Sequence, residues 1–175
     1  MRFPSDTVQS RCDSPLGPLT LAAGSAGLCG IWFEGDPHQP DSASWPRVAL
    51  ADHALLGQAA QQLRAYFAGQ RRAFDLPLNL ASGTPFQQAV WQALLQLPFA
   101  TTTSYGALSA AIGRPRAVRA LGAAVGRNPL SIVVPCHRVL GADGSLTGYA
   151  GGLPRKIALL RLEGVPLTLT PDLFT

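Results

Sequence analysis

An α+β fold is what this sequence predicts, and three observations carry the prediction. Short apolar runs flank a glycine-rich turn near the N-terminus, one longer stretch in the first half repeats apolar residues at helical spacing, and the second half alternates short helical segments with Gly and Pro breakers. The first half therefore reads as antiparallel sheet with helix. The second half reads as mainly helical.

Leu19 to Ala22 and Leu28 to Phe33 are separated by Gly24-Ser25-Ala26-Gly27, the pattern of a hairpin. A Pro/Ser/Asp-rich loop from Gly35 to Pro46 follows, and Leu50 to Phe67 then carries Leu55, Leu56, Leu63 and Phe67 on one helical face and stops near Gly69. Phe74 to Leu80 reads as a further strand or extended segment. Ala81-Ser82-Gly83 is the linker, which divides the chain into residues 1–83 and 84–175. Thr84 is an N-cap and Pro85 the first helical position of a helix reaching Leu97. Ser104 to Ile112 and Arg116 to Val125 are two short helices on either side of Gly113-Arg114-Pro115, which together make a helix-turn-helix.

The apolar run Ile132-Val133-Val134 is expected to form a short buried strand that Pro135 ends, which leaves Cys136 and His137 at a strand-to-loop edge. Glycines at 141, 144, 148, 151 and 152 then give a loop with exposed backbone. Arg155 to Glu163 returns to helical spacing, with Gly164 as its C-cap and Pro166 beyond.

The chain has 175 residues and 47% hydrophobic content, ample for a real core. No apolar run approaches the roughly 18 residues of a membrane span, and Met1 to Ser10 lacks the basic start and apolar centre of a signal peptide, so the cytoplasm is the expected location. The three cysteines, Cys12, Cys29 and Cys136, are widely spaced and suggest neither a disulfide framework nor a metal centre. His38 and His53 read as surface histidines. Charge is uneven: residues 84–175 hold seven Arg and one Lys against Asp143, Glu163 and Asp172, a balance of +5, whereas residues 1–83 balance to −1. A basic half suits a polyanionic partner, although solvated surface arginines give the same count.

Cys136 is the residue on which a functional reading turns. A lone cysteine in an apolar setting is usually a small core residue, but His137 and Arg138 follow it directly, and a neighbouring cation favours the nucleophilic thiolate. The residues alone leave three readings: a reactive thiol directed at DNA, a helix-turn-helix DNA-binding protein without chemistry, and a Cys-His hydrolase of small acyl substrates. Arg116 and Arg119 lie among Ala117, Ala120 and Gly122, small residues that permit close approach to a groove or to another helix.

Pro135-Cys136-His137-Arg138-Val139, Arg127-Asn128-Pro129 upstream, Gly148-Tyr149-Ala150-Gly151-Gly152-Leu153 and Leu159-Leu160-Arg161-Leu162-Glu163-Gly164 together resemble the O6-alkylguanine-DNA alkyltransferases, also called methylated-DNA-protein-cysteine methyltransferases. The resemblance is strong over residues 84–166 and weaker at Asp13-Ser14-Pro15-Leu16-Gly17. It implies an RNase H-like N-terminal sheet with helices, supporting a C-terminal DNA-binding half. It also implies that the alkyl group of O6-alkylguanine in double-stranded DNA, with O4-alkylthymine as a second candidate substrate, passes irreversibly to Cys136 without any cofactor, in a monomer that acts once. By the same resemblance His137 is a base acting through water, Glu163 orients it, and Tyr105 reaches N3 of the flipped guanine. Arg119 fills the space left by the everted nucleotide, with Arg116, Arg127, Ala117, Ala120 and Gly122 at the DNA. Asn128 braces the turn before the cysteine. Tyr149, Ala150 and the carbonyls of Cys136 and Val139 surround the base. The positions matching a zinc site found in some relatives are Ser5, Gly24 and Cys29, of which only the last is a good ligand, so no metal is expected.

Overall fold

The computed structural model describes residues 1–167, and part of the expected second domain, residues 168–175, lies outside them. The hairpin forms as β2 (Leu19–Gly24) and β3 (Gly27–Phe33), with a two-residue loop closed by the Asp6 carboxylate, which accepts from Ser25 N at 2.7 Å. Gly27 has φ +128°, and a Cβ there would lie 2.6 Å from Pro77 O, so no side chain fits. A strand absent from the sequence reading, β1 (Val8–Cys12), pairs antiparallel with β2 and gives the sheet order β1-β2-β3.

Both faces of β3 are covered, which is why all seven of its residues are buried. One face carries Ile31 and Phe33 against α1 (Ala54–Phe67), through Leu56, Ala60 and Leu63; the other packs Trp32 and Cys29 under Phe3 and Trp45. The expected helix from Leu50 is divided. Leu50–Asp52 is a short 3-10 turn, and His53 caps α1, its Nδ1 accepting from Leu56 N at 3.3 Å. Half-buried His53 is therefore a helix cap, not simply a surface residue. The segment 74–80 stays extended and touches the sheet at one parallel bridge, Leu28 with Leu78.

Thr84 and Gln87 form a reciprocal capping box that starts α2 (Pro85–Leu95). β4 (Thr103–Ser104) leads into α3 (Tyr105–Ala111), capped by the Ser104 hydroxyl, and α4 (Val118–Gly126) follows a turn in which Gly113 has φ +70°. Arg116 and Ala117 were expected inside this second helix. They lie in the turn before it, because Pro115 interrupts the helical bonding just ahead of them. Trp91 of α2 donates from Nε1 to Ala124 O at 2.9 Å and anchors α4 from beneath.

The expected strand at Ile132 to Val134 does not form. Leu130 makes a single parallel bridge to Ile31, and residues 131–134 then coil into turns, with Val134 N donating to Leu130 O at 2.9 Å and Ile132 in the left-handed region at φ +74°. That conformation is costly for a β-branched residue, and the buried Asn128 side chain helps hold it: Oδ1 accepts from Leu130 N at 3.0 Å, and Nδ2 donates to Val134 O at 2.8 Å. The run was apolar because it is buried, and a local side-chain partner replaces the ladder a strand would need.

A 3-10 turn, Cys136–Arg138, comes next, followed by β5 (Val139–Leu140), parallel to β4. α5 (Leu153–Leu162) closes the described chain, with Glu163 as its C-cap and Gly164 at φ +80°. One apolar cluster runs from Leu21, Ile31 and Leu56 of the first half to Trp91, Leu121 and Val134 of the second.

Candidate active site

Cys136 opens the 3-10 turn, and its Sγ accepts from Asn128 Nδ2 at 3.1 Å. The residue is only 7% exposed, but it is not sealed in the core: it lines a cavity of about 280 Å³ together with Tyr105, Gly122, Val125, Ser131, Tyr149 and Ala150. A larger cleft, about 680 Å³, lies among Gln9, Arg11 and Arg47 on the N-terminal sheet and holds no cysteine. Burial pushes the Cys136 thiol up to about 11, opposed by the Asn128 bond and by the charge of Lys156.

Arg138 was expected to help hold the thiolate. It turns away and grips Glu163 with two nitrogens, Nε to Oε2 at 2.8 Å and Nη2 to Oε1 at 2.9 Å, while Nη1 donates to Leu97 O at 2.6 Å. The cation whose charge favours the thiolate is Lys156, fully buried on α5, whose Nζ donates to the carbonyls of Val139 and Thr147, each at 2.6 Å. Burial lowers its pKa to about 8. Lys156 was missed in the sequence, although its seven-residue interval to Glu163 spans two helical turns and could have placed both on one face.

His137 is fully buried, with Nε2 2.8 Å from Glu163 Oε1. With Nε2–H donating to that carboxylate, the free lone pair is on Nδ1, which has no protein partner among the described residues. Burial lowers the His137 pKa, with smaller contributions from the charges of Arg138 and Lys156, although the bond to Glu163 pulls it upward. Glu163 also accepts from Tyr66 Oη at 2.8 Å and from Ala100 N at 3.3 Å. Burial alone would raise its pKa, but the bonds from His137 and Arg138 overcome this and bring it down to about 2. Tyr66 sits on α1, in the other half of the chain, and nothing local in the sequence pointed to it.

Both shifts are depressions, so each contributes stability that is complete above the unfolded value, 4.5 for Glu163 and 6.5 for His137, and is lost as pH falls toward the folded one. Unfolding free energy is therefore expected to decline from about pH 6.5 downward, with roughly 3 kcal/mol lost through Glu163 between pH 4.5 and 2. Urea titrations across that range check it; a flat profile would show that the buried pairing adds nothing.

Tyr105 begins α3, and its ring packs over Gly122 of α4, 3.8 Å from where a Cβ there would stand. Burial raises the Tyr105 pKa, offset in part by the nearby Thr147 side chain. The Tyr149 hydroxyl is buried and faces Ser131 without forming a well-aligned hydrogen bond. Ser131 itself is buried on the cavity wall. The Val139 side chain is in the core, and its carbonyl accepts from Lys156 Nζ. Arg116, Arg119, Ala120 and Arg127 are exposed around α4, with Ala117 half-buried. Cys29 is buried beneath Trp32.

Together these features define a class: a protein with a free thiol on the wall of a small cavity beneath a helix-turn-helix. Residues 8–80 match the profile of the 6-O-methylguanine DNA methyltransferase ribonuclease-like domain, and residues 85–165 match that of the 6-O-methylguanine DNA methyltransferase DNA-binding domain. The chain belongs to the 6-O-methylguanine DNA methyltransferase family. It is 49% identical over 151 residues to the methylated-DNA--protein-cysteine methyltransferase of Mycobacterium bovis, which covers 86% of this chain and 88% of the relative. Among solved structures, Mycobacterium tuberculosis O6-methylguanine methyltransferase superposes with TM-score 0.81 at 46% identity, covering 90% of this chain and 92% of that one. Mycobacterium tuberculosis OGT in complex with DNA gives TM-score 0.81 at 46% identity, covering 89% and 91%. The ribonuclease-like sheet and helical DNA-binding half expected from the sequence are both borne out.

Proposed function

We propose that this protein repairs DNA by taking the alkyl group of O6-alkylguanine, or of O4-alkylthymine, onto Cys136 in a single irreversible turnover. The observation that carries the reading is a thiol on the wall of a small cavity beside α4, next to a histidine whose orientation a buried carboxylate fixes. The Cys136 proton passes through water to His137 Nδ1 as the sulfur attacks the alkyl carbon. The S–C bond forms, the C–O6 bond breaks, and its electron pair withdraws into the guanine, where the Tyr105 hydroxyl supplies a proton at N3. The proton held by His137 restores Tyr105 through solvent, and guanine leaves neutral. A thioether has no easy route back to thiolate, so each molecule acts once.

Lys156 gives the developing thiolate a fixed opposite charge, and Asn128 gives it a hydrogen bond while bracing the turn. Tyr149 and Ala150 wall the base. Val139 keeps a carbonyl lone pair that the exocyclic amine could share with Lys156. The small residues Ala117, Ala120 and Gly122 let α4 enter the minor groove, flanked by Arg116 and Arg127, and Arg119 occupies the gap left by the everted nucleotide. Residues 84–175 carry the chemistry and residues 1–83 support them. We take the active form to be a cytoplasmic monomer without cofactor: Met1 and Val118 are the only large apolar side chains strongly exposed among the described residues, and no described helix is long and apolar enough to cross a membrane.

Incubation with excess duplex DNA containing O6-methylguanine, followed by intact-mass and peptide analysis, tests this directly. One methyl per molecule on the Cys136 peptide is expected. An unmodified protein that still binds DNA would leave a helix-turn-helix without chemistry, and repeated turnover of an ester would identify a hydrolase. Arg119→Ala is expected to slow duplex repair about tenfold to a hundredfold, the equivalent of roughly 1.5–3 kcal/mol of extrusion support, while hardly changing reaction with the free alkylated base. Equal losses on both substrates would reject the extrusion role.

A further inference from the structure

Ten of the eleven residues lining the Cys136 cavity come from positions 105–150; the other is His38, from the loop that follows β3. We propose that His38 limits the size of the alkyl group that Cys136 accepts, an inference that rests on the alkyl-transfer reading. The imidazole lies against the end of α4, where Gly126 has no side chain: a Cβ there would stand 3.9 Å from His38 Nε2, an ordinary contact distance. The glycine thus leaves this stretch of wall to the histidine ring.

The loop is built to hold that position. Asp36, 6% exposed, accepts from His38 N at 2.8 Å through Oδ1, and its own backbone bonds to Phe33 O and Gln39 N fix a tight turn. Gln39 Nε2 ties the far side to Thr20 Oγ1 at 3.3 Å. The His38 ring itself makes no hydrogen bond among the described residues, so the fold gives it no polar role. Its place is explained by the space it bounds. A cavity of about 280 Å³ must take a purine together with its adduct, and a methyl adds far less bulk than a benzyl.

The test compares two lesions in one duplex sequence, O6-methylguanine and O6-benzylguanine, by single-turnover labelling of Cys136 in the full-length protein. The quantity read is the ratio of benzyl to methyl rate constants, in which any effect on DNA affinity cancels. His38→Ala should raise the ratio about fivefold or more and His38→Trp should lower it by a similar factor, the scale on which pockets discriminate small apolar increments. If the tryptophan variant fails to fold, as judged by its melting curve, His38→Phe takes its place. Ratios within about twofold of the parent in both directions would overturn the proposal, as would an equal fall in both rates. A parent protein that takes neither alkyl group would instead refute the transfer reading itself.

Discussion

Glu163→Gln is expected to destabilise the protein by about 3–5 kcal/mol and to slow methyl transfer by about a hundredfold or more. Five donors converge on this carboxylate: Tyr66 Oη, His137 Nε2 and Arg138 Nη2 on Oε1, and Arg138 Nε and Ala100 N on Oε2. An amide nitrogen placed at either oxygen position faces at least two donors and satisfies none of them. The substitution also removes the only anion bonded to buried Arg138 among the described residues, and a charge stranded in a dry interior is far more costly than a neutral cavity. His137 is left with at best a neutral amide oxygen in place of the carboxylate, which holds its proton on Nε2 less strongly and makes Nδ1 a weaker base. Urea unfolding measures the first effect and single-turnover labelling the second. An unchanged unfolding midpoint would mean that the five-donor arrangement does not hold this end of α5 in place.

Cys136→Ala is expected to abolish alkyl transfer to the limit of mass detection while leaving a folded protein that still binds lesion-bearing duplex. No other thiol can take over: Cys12 and Cys29 are buried and line no part of the cavity. The fold should tolerate the change, because Asn128 Nδ2 keeps Val134 O as an acceptor and the volume lost is a single sulfur atom, a cost of about 1 kcal/mol. Intact mass after exposure to O6-methylguanine duplex, together with a gel-shift measurement, separates loss of chemistry from loss of binding. A methyl found on the variant would place the acceptor elsewhere and dismantle the proposed mechanism.

What the sequence disclosed and what it hid follow the range of the forces involved. The hairpin, the Thr84 cap, the glycine after α5 and the pair of short helices rest on residues within a few positions of one another, and each was legible. The turn at residues 131–134 was not. Three aliphatic residues in a row signal burial but not backbone path, and the path here depends on a side-chain amide at Asn128. Cys136, His137 and Glu163 were found because their spacing resembles a family, whereas Tyr66 reaches Glu163 across 97 positions with no local mark. Arg138 was noticed for its charge and assigned to the wrong partner: adjacency in sequence suggested the thiol, but the short 3-10 turn sends the guanidinium toward α5. His38 read as surface because nothing nearby in the chain announces a cavity assembled from the other half.

The phenol that α1 extends to Glu163, and the single bridge joining Ile31 to Leu130, make the N-terminal half more than a passive scaffold. Cutting the protein at residue 83 would expose the edge of β3 and take one of the five donors from Glu163, so the half that carries Cys136 is not a self-sufficient module. Evolution or engineering that swaps one half must therefore match the other at these seams and at Arg155, whose Nε donates to Leu16 O at 2.9 Å.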